Sequence, residues 1–132
     1  MTERVIDFGG TGEPGLSLMA NNTDVRLLFA DEQQRYGPFF RGLEMPGEWR
    51  HVVVNIDRDR EIMIYVDGEK LASEDIRASA GRNIPAAGQF LLGRYRNDYS
   101  RYNWPGDMDQ LRIYKRALSP GEIAALYREP PR

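Results

Sequence analysis

Residues Gly106 to Tyr127 read GDMDQLRIYKRALSPGEIAALY, and no other stretch limits the fold so tightly. From Met108 to Tyr114 the residues alternate, with Leu111 and Ile113 on one face and Gln110, Arg112 and Tyr114 on the other. That alternation predicts a strand. Ser119-Pro120-Gly121-Glu122 then precedes Ile123-Ala124-Ala125-Leu126. This is a capping box: the Ser119 hydroxyl accepts from the Glu122 amide, and Glu122 reaches back toward Ser119. Pro120 falls at the first helical position, where an amide has no intrahelical partner. A final core strand running straight into a short helix is therefore expected at this end.

The remainder of the chain reads as strands separated by turn chemistry. Arg4 to Phe8 is a strand that ends at Gly9-Gly10, and Gly9 to Gly15 is a glycine-rich loop. Those glycines do not form a phosphate cradle, because such motifs need a following helix, whereas Leu16, Leu18 and Ala20 alternate as a further strand. Asn21-Asn22-Thr23-Asp24 is a turn, and its first three residues also fit a glycosylation sequon. Val25 to Ala30 is the next strand, and Gln33 to Phe40 is its partner, interrupted at Gly37-Pro38. The strongest pair places Val52, Val54 and Ile56 on one face and Ile62, Ile64 and Val66 on another, joined by the charged loop Asp57-Arg58-Asp59-Arg60. Asp67-Gly68 predicts a type I′ hairpin returning through Lys70 and Leu71. Asp75 to Gly88 reads as a crossing loop without a core face, Gln89 to Gly93 as a short strand, and residues 128–132 as a tail. About nine or ten short strands between turn signals give an antiparallel all-β sandwich with one short C-terminal helix.

Length and charge bound the rest. The 132 residues suffice for one domain with a hydrophobic core, here expected to span 1–132. A formal net charge of -2 gives no overall field toward nucleic acid or anionic membrane. Only Lys70 and Lys115 are lysines among the 18 basic residues, a bias that suits bidentate contacts but that genome composition explains equally well. Without cysteine the redox compartment cannot be read from disulfides. No apolar run approaches the ~20 residues of a membrane span, and Met1 to Asp7 is not expected to be a secretory signal, having neither a charged n-region nor an h-region. The expected setting is an extracellular module of a longer protein, or a virion surface.

The closing stretch resembles the signature of laminin G-like, concanavalin A-like jelly rolls, in which a strand of this kind precedes "RIY-x-RALS-x-x-EI-x-x-LY". Trp49-Arg50-His51-Val52-Val53-Val54 is similar to the family's "W-x-H-V" strand. Ile64-Tyr65-Val66-Asp67-Gly68-Glu69 is similar to its "Y-V-D-G" hairpin, and Arg4 to Gly9 to a strand that normally lies mid-domain. The departure is at the front: the family's usual first strands, including an "F-x-hydrophobic-x-hydrophobic-W" strand, precede the point where this sequence starts. The resemblance implies a concanavalin A-like jelly roll. A gap at the front implies an exposed sheet edge that loops, a partner or an identical subunit would close, which makes a homo-oligomer an expectation.

Candidate chemistry is limited. His51 is the lone histidine, and no serine lies in a nucleophile elbow. Hydrolases on this type of sandwich carry acidic residues alternating along one strand, whereas Asp107-Met108-Asp109 is followed by glutamine with no glutamate in register. Asp57, Asp59 and Glu61 alternate but occupy a hairpin tip. The chain is therefore expected not to be an enzyme. Asp107 and Asp109 offer hard oxygens to Ca²⁺, an ion that many jelly rolls of this resemblance bind, though it needs about six to eight ligands. The metal site stays unknown, since Asp109 can equally bond a neighbouring backbone.

The best binding candidate is the aromatic loop holding Tyr95, Asn97, Asp98, Tyr99, Tyr102 and Trp104. Aromatic rings interleaved with Asn, Asp and Arg suit sugar recognition, the rings stacking on pyranose C–H faces while the polar groups bond hydroxyls. Tyr102 and Trp104 can instead pack beneath the loop, and Tyr, Trp and Arg also dominate protein–protein contacts. Single-stranded nucleic acid would use similar stacking, but the net charge argues against it. The expected function is a non-catalytic recognition module for a glycan or surface polysaccharide. The alternative is a structural or decoration protein of a larger protein assembly, such as a phage virion.

Overall fold

The computed structural model describes residues 3–8, 14–42, 47–82, 84, 91–93 and 104–130. Two antiparallel sheets face each other. The first comprises β1 (Glu3–Phe8), β2 (Gly15–Ala20), β3 (Asp24–Ala30), β4 (Arg35–Tyr36), β5 (Phe39–Arg41) and β9 (Leu91–Leu92) in the order β4-β3-β2-β1-β9, with β5 also on β3. The second is the meander β6 (Val52–Asp57), β7 (Glu61–Val66) and β8 (Glu69–Asp75). One helix, α1 (Pro120–Tyr127), follows.

Local chemistry sets most of these boundaries. The Asn21 carboxamide accepts from the amides of Thr23 and Asp24 at 2.9 and 2.7 Å, which closes the β2–β3 turn. Gly37-Pro38 splits the partner of β3 into β4 and β5, and the ladder survives because Leu27 N–H donates to the Pro38 carbonyl at 3.0 Å. Asp67 and Gly68 have φ of 51° and 81°, the left-handed pair that a two-residue type I′ hairpin demands. Asp67 is also useful as a carboxylate: it accepts from the His51 amide and from the Arg50 guanidinium, both at 2.9 Å.

Strand alternation places the core between the sheets. Leu18, Ala20, Val25, Leu27 and Phe29 from the first sheet meet Ile62, Ile64 and Val66 from the second, and Val52, Val54 and Ile56 of β6 flank them. The other face of β6 and β7 carries a second, smaller cluster. There Met63 and Tyr65 pack against Leu118 and Ile123, so α1 lies on the outside of the meander. Asn55 is the buried polar member of that face: its side-chain amide donates to the Leu118 carbonyl at 2.9 Å and its oxygen accepts from the Leu118 N–H at 2.8 Å. The capping box forms as the sequence predicts, with both reciprocal bonds present and Pro120 at the helix start.

Three regions differ from the sequence reading. Residues Met108 to Tyr114 form no strand: Leu111 and Ile113 are 51% and 72% exposed. Alternation specifies which side chains share a face, but a strand exists only where a neighbour supplies the ladder, and among the described residues none does. The run is also broken at Gln110, whose φ is +53° and whose amide donates to its neighbour Asp109. The stretch after Asp75 does have a core face, since Ile76 is fully buried and leads into a 3₁₀ turn, Arg77–Ser79. Finally, Arg58 of the charged hairpin is not simply solvated. It donates to the Ser79 hydroxyl and to the carbonyls of Ser79 and Arg82, and lies 5.2 Å above the Phe29 ring.

Two outcomes follow from the way α1 is held. Asn55→Ala leaves a buried main-chain N–H and C=O of Leu118 without partners, and is expected to lower unfolding free energy by about 2–3 kcal/mol in urea titration. The Arg116 guanidinium, with the Ser119 amide, holds the Glu122 carboxyl at about 2 against an ordinary 4.5. A carboxyl lowered on folding stabilises above its unfolded value and loses that contribution as pH falls through the folded one. Helix stability is therefore expected to decline between pH 4.5 and about 2, the interval set by those two values. Glu122→Gln should flatten the decline, as followed by far-UV circular dichroism.

Candidate functional site

The loop singled out from the sequence starts from the end of β9 and returns at Trp104. Its base is closed by a main-chain hydrogen bond, Trp104 N–H to the Gly93 carbonyl at 2.8 Å. Gly93 has φ of +72°, and a Cβ there would come within 3.2 Å of the Met108 methyl group, so glycine suits the position on both counts. Of the six residues expected to bind ligand, Tyr95, Asn97, Asp98, Tyr99 and Tyr102 lie outside the described residues. Trp104 is described.

Trp104 is half-buried and packs against the main core. Its indole N–H reaches toward the Asp107 carbonyl at 3.5 Å. Gly106 lies against the same ring: a Cβ at 106 would stand 2.9 Å from Nε1 and 3.1 Å from Cε2. Core contact and the close Gly106 backbone together make Trp104 a foot for the loop, which is the packing role the sequence left open.

The candidate cation ligands do not assemble. Asp107 and Asp109 are exposed, and Asp109 accepts from the Gln110 amide at 2.8 Å. Among the described residues no three His, Asp or Glu side chains converge on a point. A calcium ion needs about six oxygens, so these residues do not fit it.

Asp31, Asp75 and Glu122 are carboxylates held below the ordinary range by their partners. Asp31 is buried, which alone would raise its pKa. The amides of Gln33 and Gln34, both 2.7 Å from Oδ1, together with Ser79 and Arg82, outweigh that and hold it below the ordinary range. Asp75 is lowered by its hydrogen bonds to Arg77. A depression of about 200 Å³ lies between Arg60, Glu61, Asp75 and Arg77, with Glu61 paired to Lys70 at 3.7 Å and Asp75 to Arg77. A general acid at neutral pH needs a raised value, and the shifts of Asp31, Asp75 and Glu122 run the other way. His51 faces the Tyr127 ring at 6.0 Å, and its Nδ1 is buried without a hydrogen-bond partner among the described residues. Sequence reasoning did not anticipate that Trp49 would be 69% exposed at the head of β6.

The melting temperature is expected to be the same in excess Ca²⁺ and in chelator. A rise of several degrees in Ca²⁺ by scanning fluorimetry would show instead that other ligands complete a site.

A family profile agrees with this architecture. The laminin G 3 family profile, described as the concanavalin A-like lectin/glucanases superfamily, matches residues 2–124. Pentraxin-4 of Homo sapiens is 31% identical over 99 residues, which is 67% of this chain and 20% of that protein. Paraclostridial mosquitocidal protein 1 of Paraclostridium bifermentans is 28% identical over 81 residues, 60% of this chain and 6% of that protein. The chain thus matches a small part of each of these longer relatives. A crystal structure of residues 221–444 of an S-layer domain-containing protein from Clostridium thermocellum aligns over 96% of this chain and 63% of that one, at 19% identity and a TM-score of 0.45. With a family match running nearly from end to end, the chain belongs to the concanavalin A-like lectin/glucanase superfamily, as a laminin G-like domain.

Proposed function

We propose that this domain is a non-catalytic recognition module that binds carbohydrate through the rim loop between Gly93 and Trp104. The observation that carries the reading is the combination of the loop's composition with its base. Tyr95, Tyr99 and Tyr102 alternate with Asn97, Asp98 and Arg residues, and the two ends are joined by the Gly93–Trp104 hydrogen bond. A pinned base lowers the ordering cost of presenting aromatic rings to a ligand. Membership of a superfamily named for lectins as well as glucanases is compatible with this. In this reading the ligand is a glycan or surface polysaccharide, and the domain works outside the cell or on a virion surface.

A second reading is a structural or decoration role in a larger protein assembly, including a homo-oligomer. It is favoured by a different observation: Trp49, Leu111, Ile113 and Tyr114 are large side chains left exposed, and apolar surface of this kind is more typical of protein contact than of sugar binding.

A glycan array probed with the purified chain separates the two. Saturable binding is expected, reduced at least about tenfold by Tyr99→Ala and by Asp98→Ala. Both variants should keep the parent melting temperature, unlike Trp104→Ala, which removes the loop's foot. Silence across the array from folded protein would abandon the carbohydrate reading in favour of the assembly role.

A further inference from the structure

The described residues hold both halves of a β-ladder that they do not make with one another. One half is the outer edge of β6. His51 and Asp67 form a hydrogen-bonded pair, with Asp67 N–H on the His51 carbonyl at 2.8 Å, and the register runs on through Val53–Tyr65, Asn55–Met63 and Asp57–Glu61. In an antiparallel ladder bonded pairs alternate, so the main-chain groups of Val52, Val54 and Ile56 point away from β7. Among the described residues those groups have no hydrogen-bond partner and β6 pairs with β7 alone. The side chains of the same three residues belong to the inner layer but are only half-buried, whereas Ile62, Ile64 and Val66, one strand inward, are buried. The core thus reaches the edge without being closed there.

The other half is the stretch after Gln110. Leu111 and Ile113 alternate as a strand should, are 51% and 72% exposed, and make no main-chain hydrogen bond among the described residues. Within its own copy this stretch is led elsewhere: Arg112 pairs with Glu129 past the end of α1 at 2.8 Å, and Leu118 is clasped to Asn55.

We propose that two copies of this chain associate by reciprocal strand exchange, residues 111–115 of each lying antiparallel along the free edge of β6 of the other. The alternation keeps Leu111 and Ile113 on the inner face, and in the register that sets Leu111 beside Ile56 and Ile113 beside Val54 the inner layer gains two apolar side chains. Tyr114 then falls beside Val53 on the α1 side. Lys115, which has no ion pair among the described residues, is carried toward Val52 and the exposed Trp49, a ring suited to a cation. A two-fold axis makes both ladders at once, so the contact closes on itself and does not propagate. This inference rests on the edge and the exposed stretch, and stands apart from the glycan reading.

Light scattering after size exclusion tests it on the whole chain. The parent chain is expected at twice the monomer mass at tens of micromolar, dissociating on dilution. Ile113→Asp changes a side chain that is 72% exposed, so the fold should keep its melting temperature. Its dimerisation should weaken at least about tenfold. Val54→Pro removes an N–H that points to the free edge and leaves the β6–β7 ladder its donors; it should likewise give monomer. Mixing the two variants at high concentration should restore dimer mass, because Val54→Pro still offers a sound strand and Ile113→Asp a sound edge. A parent chain that stays monomeric throughout, or a dimer that Ile113→Asp leaves intact, would overturn the proposal. A mixture that does not recover would overturn the exchange as well.

Discussion

The buried amide of Asn55 is the interaction on which the carboxy-terminal quarter of this domain depends. A primary carboxamide can donate and accept at once, and Asn55 uses both functions on the N–H and C=O of a single residue, Leu118. That bond pair fixes the point where the chain arrives on the outer face of β6. From there the geometry is propagated by local rules. Ser119 starts the helix one residue later, Ile123 falls one turn on into the pocket over Met63 and Tyr65, and Tyr127 ends beside His51 and Gly68. Apolar burial supplies most of the favourable energy here, roughly 2–3 kcal/mol for a side chain like Ile123. The amide supplies the position, because an apolar contact has no preferred register and a two-point hydrogen bond has one.

A similar division of labour joins the two sheets. Their inner layers meet through aliphatic side chains, while a few long polar groups set the relative placement. Glu74 of β8 accepts from the Gly37 amide at 2.6 Å in the β4–β5 break. Arg58 spans from the β6–β7 hairpin to Ser79 and Arg82, and Arg82 in turn faces buried Asp31 at 3.4 Å. These contacts join residues of the connecting turns, at the β4–β5 break, the β6–β7 hairpin and the stretch after β8, to groups outside their own ladders.

What could be read from the sequence follows from range. The Asp67-Gly68 hairpin, the Asn21 turn, the split at Gly37-Pro38 and the capping box at Ser119 are decided by residues within four positions of one another, and each forms as the residues predict. Alternation also sorted Val52, Val54 and Ile56 from Val53 and Asn55 correctly. The misreadings concern partners far along the chain. Ile76 looked like loop because nothing adjacent to it reveals that its side chain reaches the core. Residues 108–114 looked like strand because their pattern is that of one, and a pattern cannot show whether a neighbouring edge is present. At the candidate site, Trp104 was legible as an aromatic residue beside a turn. That Gly106 and the core enclose its ring came only from the fold.

The hydrogen bond between Gly93 and Trp104 has a consequence for how such a domain diversifies. Once the two ends of a loop are fixed by the scaffold, the entropy of closing it grows only with the logarithm of its length, about 0.6 kcal/mol for each doubling. Everything between the two anchors can then be lengthened, shortened or rewritten at little cost to the sheets beneath. The sequence between the two anchors is thus free to vary in length and composition while the sandwich that carries it stays the same.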